Sequence, residues 1–249
     1  MKPTVLVIGG SDSSGGAGIT RDLQSLHEMD ARGVAVITAV TSQTHTSVRS
    51  INLIPQGTIR DQIETALASN DVRAIKIGML GTRRTVEAVA SSLPSTRELP
   101  IILDPVLAAS SGRALVDDEA RIALIELLFP LVSLVTPNAL EVASLLGEPV
   151  ATDSAALESY ALRLLDDAPH AVLVKGGHAD GDESVDLLAL SGGNVVRLRG
   201  PRLPGRLRGT GCALASAIAA GMARKLPLES ACREAKRYVT RLFQQALDG

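Results

Sequence analysis

The sequence has no tryptophan and only two phenylalanines and two tyrosines among its 249 residues. A core without large aromatic side chains must be built from valine, leucine, isoleucine and alanine, which is typical of parallel sheets covered by helices. Hydrophobic residues make up 45% of the chain and charged residues 21%. This is the composition of a globular protein long enough to bury a sizeable core.

Other features are equally scarce. The two cysteines, Cys212 and Cys232, are too few and too isolated for a disulfide framework. The net charge is −2, and although arginines cluster between Arg197 and Arg208, no long basic run suggests a nucleic-acid partner. The first apolar run, residues 5–8, is too short for a signal peptide or a membrane span. We therefore expect a soluble, cytoplasmic protein that binds neither nucleic acid nor membranes.

Short apolar runs alternate with longer amphipathic stretches along the whole chain, which predicts an α/β fold with a mostly parallel sheet and helices on both faces. The strands are expected at 5–8, 35–41, 74–78, 101–103, 133–135 and 171–175. Helical periodicity marks 59–68, 85–93, 210–225 and 228–246. Segments 184–190 and 195–198 predict a late antiparallel hairpin. One domain over residues 1–249 is the simplest organisation.

A glycine-rich loop, GGSDSSGGAG at residues 9–18, follows the first strand and opens a helix. Its glycines allow the backbone to approach a ligand at the edge where open α/β sheets bind ligands. The spacing matches neither a Walker A loop nor a dinucleotide-binding fingerprint. The alternative is a tight turn required only for packing.

Carboxylates follow two later strands. Asp104 comes directly after the strand at 101–103, where it can hold Mg²⁺ directly or through water, or simply begin a turn before proline. Asn138 and Glu141 follow the strand at 133–135. Their three-residue spacing fits a helix capping box, and equally fits a pair that orders the water shell of Mg²⁺.

Two further segments carry phosphate-binding chemistry. Lys175 ends a buried strand and precedes two glycines, so it can point a positive charge at a nucleotide phosphate, or extend to solvent. Gly209, Thr210 and Gly211 leave backbone N–H groups open at the start of an apolar helix, which predicts an anion hole for a transferring phosphoryl group. Cys212 lies in the first turn of that helix, where the helix dipole is expected to lower its thiol pKa.

Taken together in this order, these motifs resemble the hydroxymethylpyrimidine/phosphomethylpyrimidine kinases of the ribokinase-like superfamily. The resemblance spans essentially the whole chain, through residues 10–18 with Asp22, 38–43, 75–80, 103–106 with Ser111 and Gly112, 136–138 with Glu141, 173–178, and 209–212 with Ala235 and Lys236. Many sugar kinases of the superfamily carry Asp at the position of Cys212.

The resemblance implies a ribokinase-like three-layer fold and a role for each candidate residue. Asp22 and Gln43 would hydrogen-bond an aminopyrimidine, in a pocket lined by Ala17, Val40 and Met79. The remaining roles would belong to the phosphate end of the site: Mg²⁺ and phosphate for Asp104, Asn138 and Glu141, ATP phosphate for Lys175, the anion hole for Gly209, Thr210 and Gly211, and the acceptor oxygen for Cys212. A homodimer is also implied.

Three segments depart from the family pattern: Thr44 with His45 and Ser47 with Val48 after the glutamine, Ile19–Asp22 in the first helix, and Arg208 where a histidine commonly precedes the last motif. They flank the substrate loop and the phosphate end, so they affect the choice of substrate more than the kinase assignment. The expected activity is ATP-dependent phosphorylation of 4-amino-5-hydroxymethyl-2-methylpyrimidine and of its monophosphate. A pyridoxine or pyridoxal kinase, and a non-catalytic pyrimidine-binding regulatory protein, are the alternatives.

Overall fold

The structure is a computed structural model that describes residues 1–94, 98–109, 112–151, 153–167, 169–176, 183–205 and 207–248. Ser111, Gly177 and His178, which belong to the motifs above, lie outside the described residues. Over the described residues the strands are β1 (Thr4–Asp12), β2 (Arg32–Gln43), β3 (Val48–Leu53), β4 (Val72–Ile77), β5 (Ile101–Leu103), β6 (Leu134–Val135), β7 (Ala171–Val174), β8 (Glu183–Leu190) and β9 (Asn194–Pro201).

Helices lie between the strands and after the last one. They are α1 (Gly18–Glu28), α2 (Gln56–Ser69), α3 (Arg83–Ser92), α4 (Asp118–Ala123), α5 (Ala139–Leu146), α6 (Ser154–Leu165), α7 (Thr210–Ala223) and α8 (Leu228–Asp248). After α4 the chain continues through a π-helical turn and a short 3₁₀ turn up to Leu131. None of the helices in the described ranges has the length and hydropathy needed to cross a membrane.

One sheet runs through the described part of the chain, in the strand order β3-β2-β1-β4-β5-β6-β7-β8-β9. Neighbouring strands are parallel along the central run β2-β1-β4-β5-β6-β7. At the two ends of the sheet, β3 pairs antiparallel with β2, and β8 pairs antiparallel with both β7 and β9. The predicted mostly parallel sheet and the late hairpin are therefore confirmed. β3 was not predicted, because its mixed polar and apolar residues are half-buried or exposed and carry no clear period. The single-domain organisation stays a prediction.

The two faces of the sheet bury separate apolar layers, because consecutive side chains of a strand point to opposite faces. In β1, Leu6 and Ile8 pack with α2 to α6, whereas Val5 and Val7 pack with α1, α7 and α8. All four side chains are fully buried. Burying each such aliphatic side chain stabilises the fold by about 1.5–3 kcal/mol. This confirms the helix-covered sheet that the scarcity of aromatic residues predicts.

The sheet order places a topological switch at β1, since β2 lies on one side of it and β4 on the other. The loops after the carboxyl ends of neighbouring parallel strands diverge there and leave a crevice, which is where open α/β sheets bind ligands. The predicted glycine-rich loop follows β1 directly. The candidate residues are therefore brought to one edge of the sheet.

Candidate active site

The N-terminus of α7 meets the glycine-rich loop. Gly209 caps the helix with φ = 73°, and a Cβ at this position would lie 2.3 Å from the carbonyl oxygen of Gly16. No other residue fits such a left-handed, crowded position without strain. No side chain among the described residues caps the helix, so its first backbone N–H groups can receive an anion.

Gly211, two residues after Gly209, faces the opposite wall of the same crevice. A Cβ there would lie 3.2 Å from Nζ of Lys175 and 3.6 Å from Oδ2 of Asp104. The start of α7 thus spans the site, with the glycine-rich loop on one side and a lysine–carboxylate group on the other. This contact joins residues that are far apart in the sequence and that were assigned to the phosphate end of one site.

Lys175 is the centre of that lysine–carboxylate group. Its Nζ lies 2.8 Å from Oδ1 of Asp104 and 3.7 Å from Oε2 of Glu141. Thr136 donates its hydroxyl to Oδ1 of Asp104 at 3.2 Å. Burial alone would raise the pKa of Asp104, but the positive charges of Lys175 and Lys76 outweigh it and hold that pKa below its usual value.

The carboxyl of Glu141 has the opposite tendency. Burial raises its pKa, and the nearby Asp104 carboxylate adds to that rise, although Lys175 opposes it. Glu141 also completes the capping box of α5. The backbone N–H of Asn138 donates to Oε2 of Glu141 at 2.8 Å, and the backbone N–H of Glu141 donates to Oδ1 of Asn138 at 2.9 Å. The capping-box alternative is confirmed, and it leaves the Glu141 carboxyl at the edge of the crevice beside Lys175.

This donor set fits Mg²⁺, which takes oxygen ligands, retains several waters and commonly uses one or two carboxylates together with substrate phosphates. Asp104 and Glu141 supply two carboxylates around one ammonium group. No cluster of three or more His, Cys, Asp or Glu side chains with metal-binding geometry occurs in the described residues. The set is therefore suited to a metal ion shared with a phosphate ligand rather than to a closed protein cage.

Cys212 lies half-buried in the first turn of α7. Burial raises the pKa of its thiol to about 11, even though the Lys76 ammonium and the backbone N–H of Gly18 favour the thiolate. The expectation of a lowered thiol pKa is therefore wrong for this structure. Removing the thiol from water destabilises the thiolate by more than Lys76 and the Gly18 N–H stabilise it.

Asp22 lies beneath the crevice, where it forms an ion pair with Lys76. Its other hydrogen-bond partner is Ser216 of α7, whose hydroxyl donates to Oδ1 at 2.8 Å. Asp22 is 1% exposed, so both carboxylate oxygens already accept from protein donors. A direct contact with a pyrimidine stays a prediction, and any test of it has to allow for this ion pair.

The roles of Lys76 and Ser216 were not predicted from the sequence. A lysine inside the buried segment 74–77 of β4 is itself a signal, because a fully buried ammonium requires a carboxylate partner. The sequence contains no indication of which carboxylate that is. Ser216 gives no signal, since a serine in a helix next to alanines is normally a packing residue.

The remaining residues predicted to surround a pyrimidine lie around β1 and β2. Met79 is buried, and its Sδ is 3.1 Å from the position that a Cβ on Gly10 would take. Ala17 lies against the turn at Gly209, and its Cα is 3.3 Å from a Cβ built there. Val40 of β2 is unusual for an apolar residue because it is 46% exposed.

Gln43, at the end of β2, is tied to the glycine-rich loop through Ser13, whose hydroxyl accepts from its N–H at 2.9 Å and donates to its C=O at 3.1 Å. Two buried guanidinium nitrogens lie in this region, Nε of Arg21 and Nε of Arg208, and neither has a hydrogen-bond partner among the described residues. The Cγ of Arg21 lies 3.1 Å from a Cβ built on Gly209. The site therefore combines apolar side chains, one amide and two guanidinium groups whose Nε atoms have no hydrogen-bond partner among the described residues.

Comparison with known proteins gives a consistent result. Residues 12–248 match the family model described as phosphomethylpyrimidine kinase. The chain is 41% identical over 240 residues to the hydroxymethylpyrimidine/phosphomethylpyrimidine kinase of Rhizobium meliloti (strain 1021), covering 96% of this chain and 90% of that protein.

Solved structures agree. A phosphomethylpyrimidine kinase from Clostridium difficile 630 superposes with a TM-score of 0.84 at 32% identity, over 97% of this chain and 99% of that one. A pyridoxal kinase from Staphylococcus aureus, solved in complex with AMP-PCP and pyridoxal, gives 0.86 at 28% identity, over 96% and 87% of the two chains.

Proposed function

The chain belongs to the phosphomethylpyrimidine kinase family, and from this premise we propose that it transfers the γ-phosphoryl group of ATP to 4-amino-5-hydroxymethyl-2-methylpyrimidine. The same site would then phosphorylate the resulting monophosphate, for thiamine biosynthesis. The observation that carries the proposal is the position of Gly211, which lies at the open start of α7 directly against Lys175 and Asp104. An anion hole next to a cation and a carboxylate is what phosphoryl transfer requires.

In this mechanism the substrate hydroxyl oxygen forms a bond to the γ-phosphorus while the bond from that phosphorus to the bridging oxygen of ADP breaks. The backbone N–H groups of Gly209, Thr210 and Gly211 and the ammonium of Lys175 receive the negative charge. The guanidinium of Arg21, whose buried Nε has no hydrogen-bond partner among the described residues, adds positive potential on the side of the glycine-rich loop. Positioning and charge stabilisation supply most of the rate in such loose transition states.

Cys212 would face the acceptor oxygen and take the hydroxyl proton. With its pKa raised to about 11, only about one thiol in 10⁴ is ionised at pH 7 in the free protein. Proton transfer to Cys212 therefore supplies only part of the rate acceleration, within the roughly 10²–10⁴-fold that general bases provide.

Asp104 and Glu141 would hold Mg²⁺, with Asn138 ordering its water shell. When bound, the ion neutralises charge that develops on the phosphate oxygens. The chain's own contribution is to keep Asp104 ionised, which the adjacent Lys175 favours. Lys175 would also contact an ATP phosphate.

The pyrimidine would lie between Ala17, Val40 and Met79, with Gln43 and Asp22 as its hydrogen-bonding partners. The unusual exposure of Val40 supports this placement, because an exposed apolar side chain at the rim of a crevice can cover one face of an aromatic ring. A cytoplasmic location and a homodimer are also part of the proposal, and the homodimer rests on the family resemblance alone.

The second candidate is pyridoxal kinase activity, which the similarity to the Staphylococcus aureus enzyme favours. The test is ADP release by the purified protein with MgATP and each acceptor in turn. We expect kcat/KM for the aminopyrimidine to exceed that for pyridoxal and pyridoxine. A higher value for pyridoxal would overturn the substrate assignment, and binding of the pyrimidine without ADP release would support a regulatory protein instead.

A further inference from the structure

Arg208 joins the glycine-rich loop to the end of β2. Its Nη1 donates to the backbone carbonyl of Thr44 at 2.8 Å and to Oγ of Ser14 at 3.2 Å. Its Nη2 lies 3.4 Å from Oδ2 of Asp12 and 3.4 Å from Oε1 of Gln43. One guanidinium therefore contacts both walls of the crevice at the point where Gln43 enters it.

The guanidinium is held in place by charge. Asp12 has a side chain that is 2% exposed, and Arg208 is its ion-pair partner. The other oxygen of Asp12 is taken by Ser14, whose N–H and hydroxyl donate to Oδ1 at 2.8 and 2.7 Å. Because the guanidinium is rigid and planar, its contacts with Asp12, Ser14 and Thr44 also fix the direction in which Nη2 meets Gln43.

This contact decides the orientation of the Gln43 side-chain amide. Arginine carries donors and no acceptor, so only the oxygen of the amide can face it. Within the described residues the Nε2 group of Gln43 donates to no protein atom, while its backbone N–H and C=O are both engaged by Ser13. The amide oxygen is therefore turned toward Arg208, which leaves the N–H donors as the unengaged groups of the amide.

We propose that Arg208 is a positioning residue that locks the Gln43 amide with its N–H donors toward the acceptor substrate. The lock selects heteroaromatic alcohols that carry an unprotonated ring nitrogen opposite Gln43. Without Arg208 the amide can rotate by 180°, since such terminal torsions are roughly two-fold, and it can then present either its oxygen or its N–H group. This inference rests on the proposed function, because that function places Gln43 against the substrate ring.

The test compares binding, measured by calorimetry, of the aminopyrimidine and of two pyridine analogues in each of which one ring nitrogen is replaced by CH. For the native protein we expect the parent pyrimidine to bind at least about tenfold more tightly than one of the two analogues, the effect of leaving a hydrogen-bonding group unpaired. In Arg208→Ala this preference should fall to within about twofold. Arg208→Lys keeps the charge near Asp12 but lacks the fork, so it should lose most of the preference as well.

Two controls separate selectivity from folding. Arg73→Ala removes an exposed arginine that forms an ion pair with Asp71, and it should leave the preference unchanged. In a Gln43→Ala background, Arg208→Ala should change pyrimidine affinity less than twofold, because its effect acts through the amide. If Arg208→Ala does not fold, Arg208→Lys decides the question alone.

The inference is overturned if Arg208→Ala or Arg208→Lys retains the native preference, if the native protein does not distinguish either analogue from the parent, or if the effect of Arg208→Ala persists without Gln43. Failure of the proposed function looks different. In that case the native protein releases no ADP with the pyrimidine, whatever the binding measurements give.

Discussion

Nζ of Lys76 lies 2.9 Å from Oδ1 and 3.0 Å from Oδ2 of Asp22, and both side chains are 1% exposed. The two residues are 54 positions apart, in β4 and α1. Burial alone would lower the pKa of Lys76, but the Asp22 carboxylate outweighs it and raises that pKa above the usual value. Burial raises the pKa of Asp22, although the charge of Lys76 and the hydrogen bonds from Lys76 and Ser216 oppose that rise. The two side chains form a buried ion pair beneath the start of α7.

Lys76→Met should destabilise the protein by about 3–5 kcal/mol, because it leaves the Asp22 carboxylate buried without a counter-charge. The free energy of unfolding in urea measures this. The double variant Lys76→Met with Asp22→Leu should regain part of the loss, since no unpaired charge remains. As a control, Lys2→Met removes an exposed partner of Asp30 and should leave the unfolding curve in place. Equal stability of Lys76→Met and the native protein would contradict the buried pair.

Gly211→Asp should reduce kcat by at least about 10²-fold while the protein stays folded. The new carboxylate would enter the space beside Lys175 and Asp104, where it repels the phosphoryl group. The matched control is Gly57→Asp, at an exposed position in the first turn of α2 with no atom within 4 Å of a new Cβ. A kcat near the native value in purified, folded Gly211→Asp would rule out the anion hole.

Lys175→Gln should weaken nucleotide affinity by roughly ten- to a hundredfold, the effect of losing a hydrogen bond to a charged group. The neutral amide keeps the size of the side chain but not its charge toward phosphate. Calorimetric titrations with ADP and with the pyrimidine measure the affinity for each ligand separately. Lys225→Gln, at an exposed lysine after α7, provides the control. A loss confined to pyrimidine affinity would place Lys175 on the acceptor side.

The Cys212 thiol should react with iodoacetamide slowly at pH 7, and its rate should rise about tenfold per pH unit up to at least pH 9.5. The reason is that burial raises its pKa to about 11, so the reactive thiolate appears only as the pH approaches that value. The measurement uses a Cys232→Ala background, which leaves one thiol in the sequence. A rate that levels off below pH 8 would restore the activated cysteine that the helix terminus alone suggests.

Cys212→Ala should reduce kcat about 10²–10⁴-fold and leave ATP binding nearly unchanged, if the thiol takes the substrate proton. Cys212→Asp should keep measurable activity, because a carboxylate can accept the same proton. The profiles of kcat against pH for the native protein and both variants give the answer. Full activity of Cys212→Ala at every pH would make Cys212 a packing residue.

Much of the fold could be predicted from the sequence, because its information is local. The apolar strands, the periodic helices and the glycines at turns each follow from neighbouring residues. Parallel strands end at a common edge, so the sequence alone predicts that the motifs after β1, β5, β6 and β7 lie near one another. The capping box of Asn138 and Glu141 belongs to the same class, since both of its hydrogen bonds lie within one helical turn.

The tertiary structure alone decided which distant groups meet and how deeply they are buried. Lys76 finds Asp22, and Arg208 reaches Asp12 and Gln43, only because the strand order brings β1 between β2 and β4 and sets α7 across their ends. The pKa of Cys212 shows the same limit. The sequence predicts that Cys212 lies at a helix N-terminus. The desolvation that raises its pKa arises only when distant parts of the chain, such as the loop at Gly18, pack around it. Electrostatic effects depend on distance and hydration in space, which sequence separation does not encode.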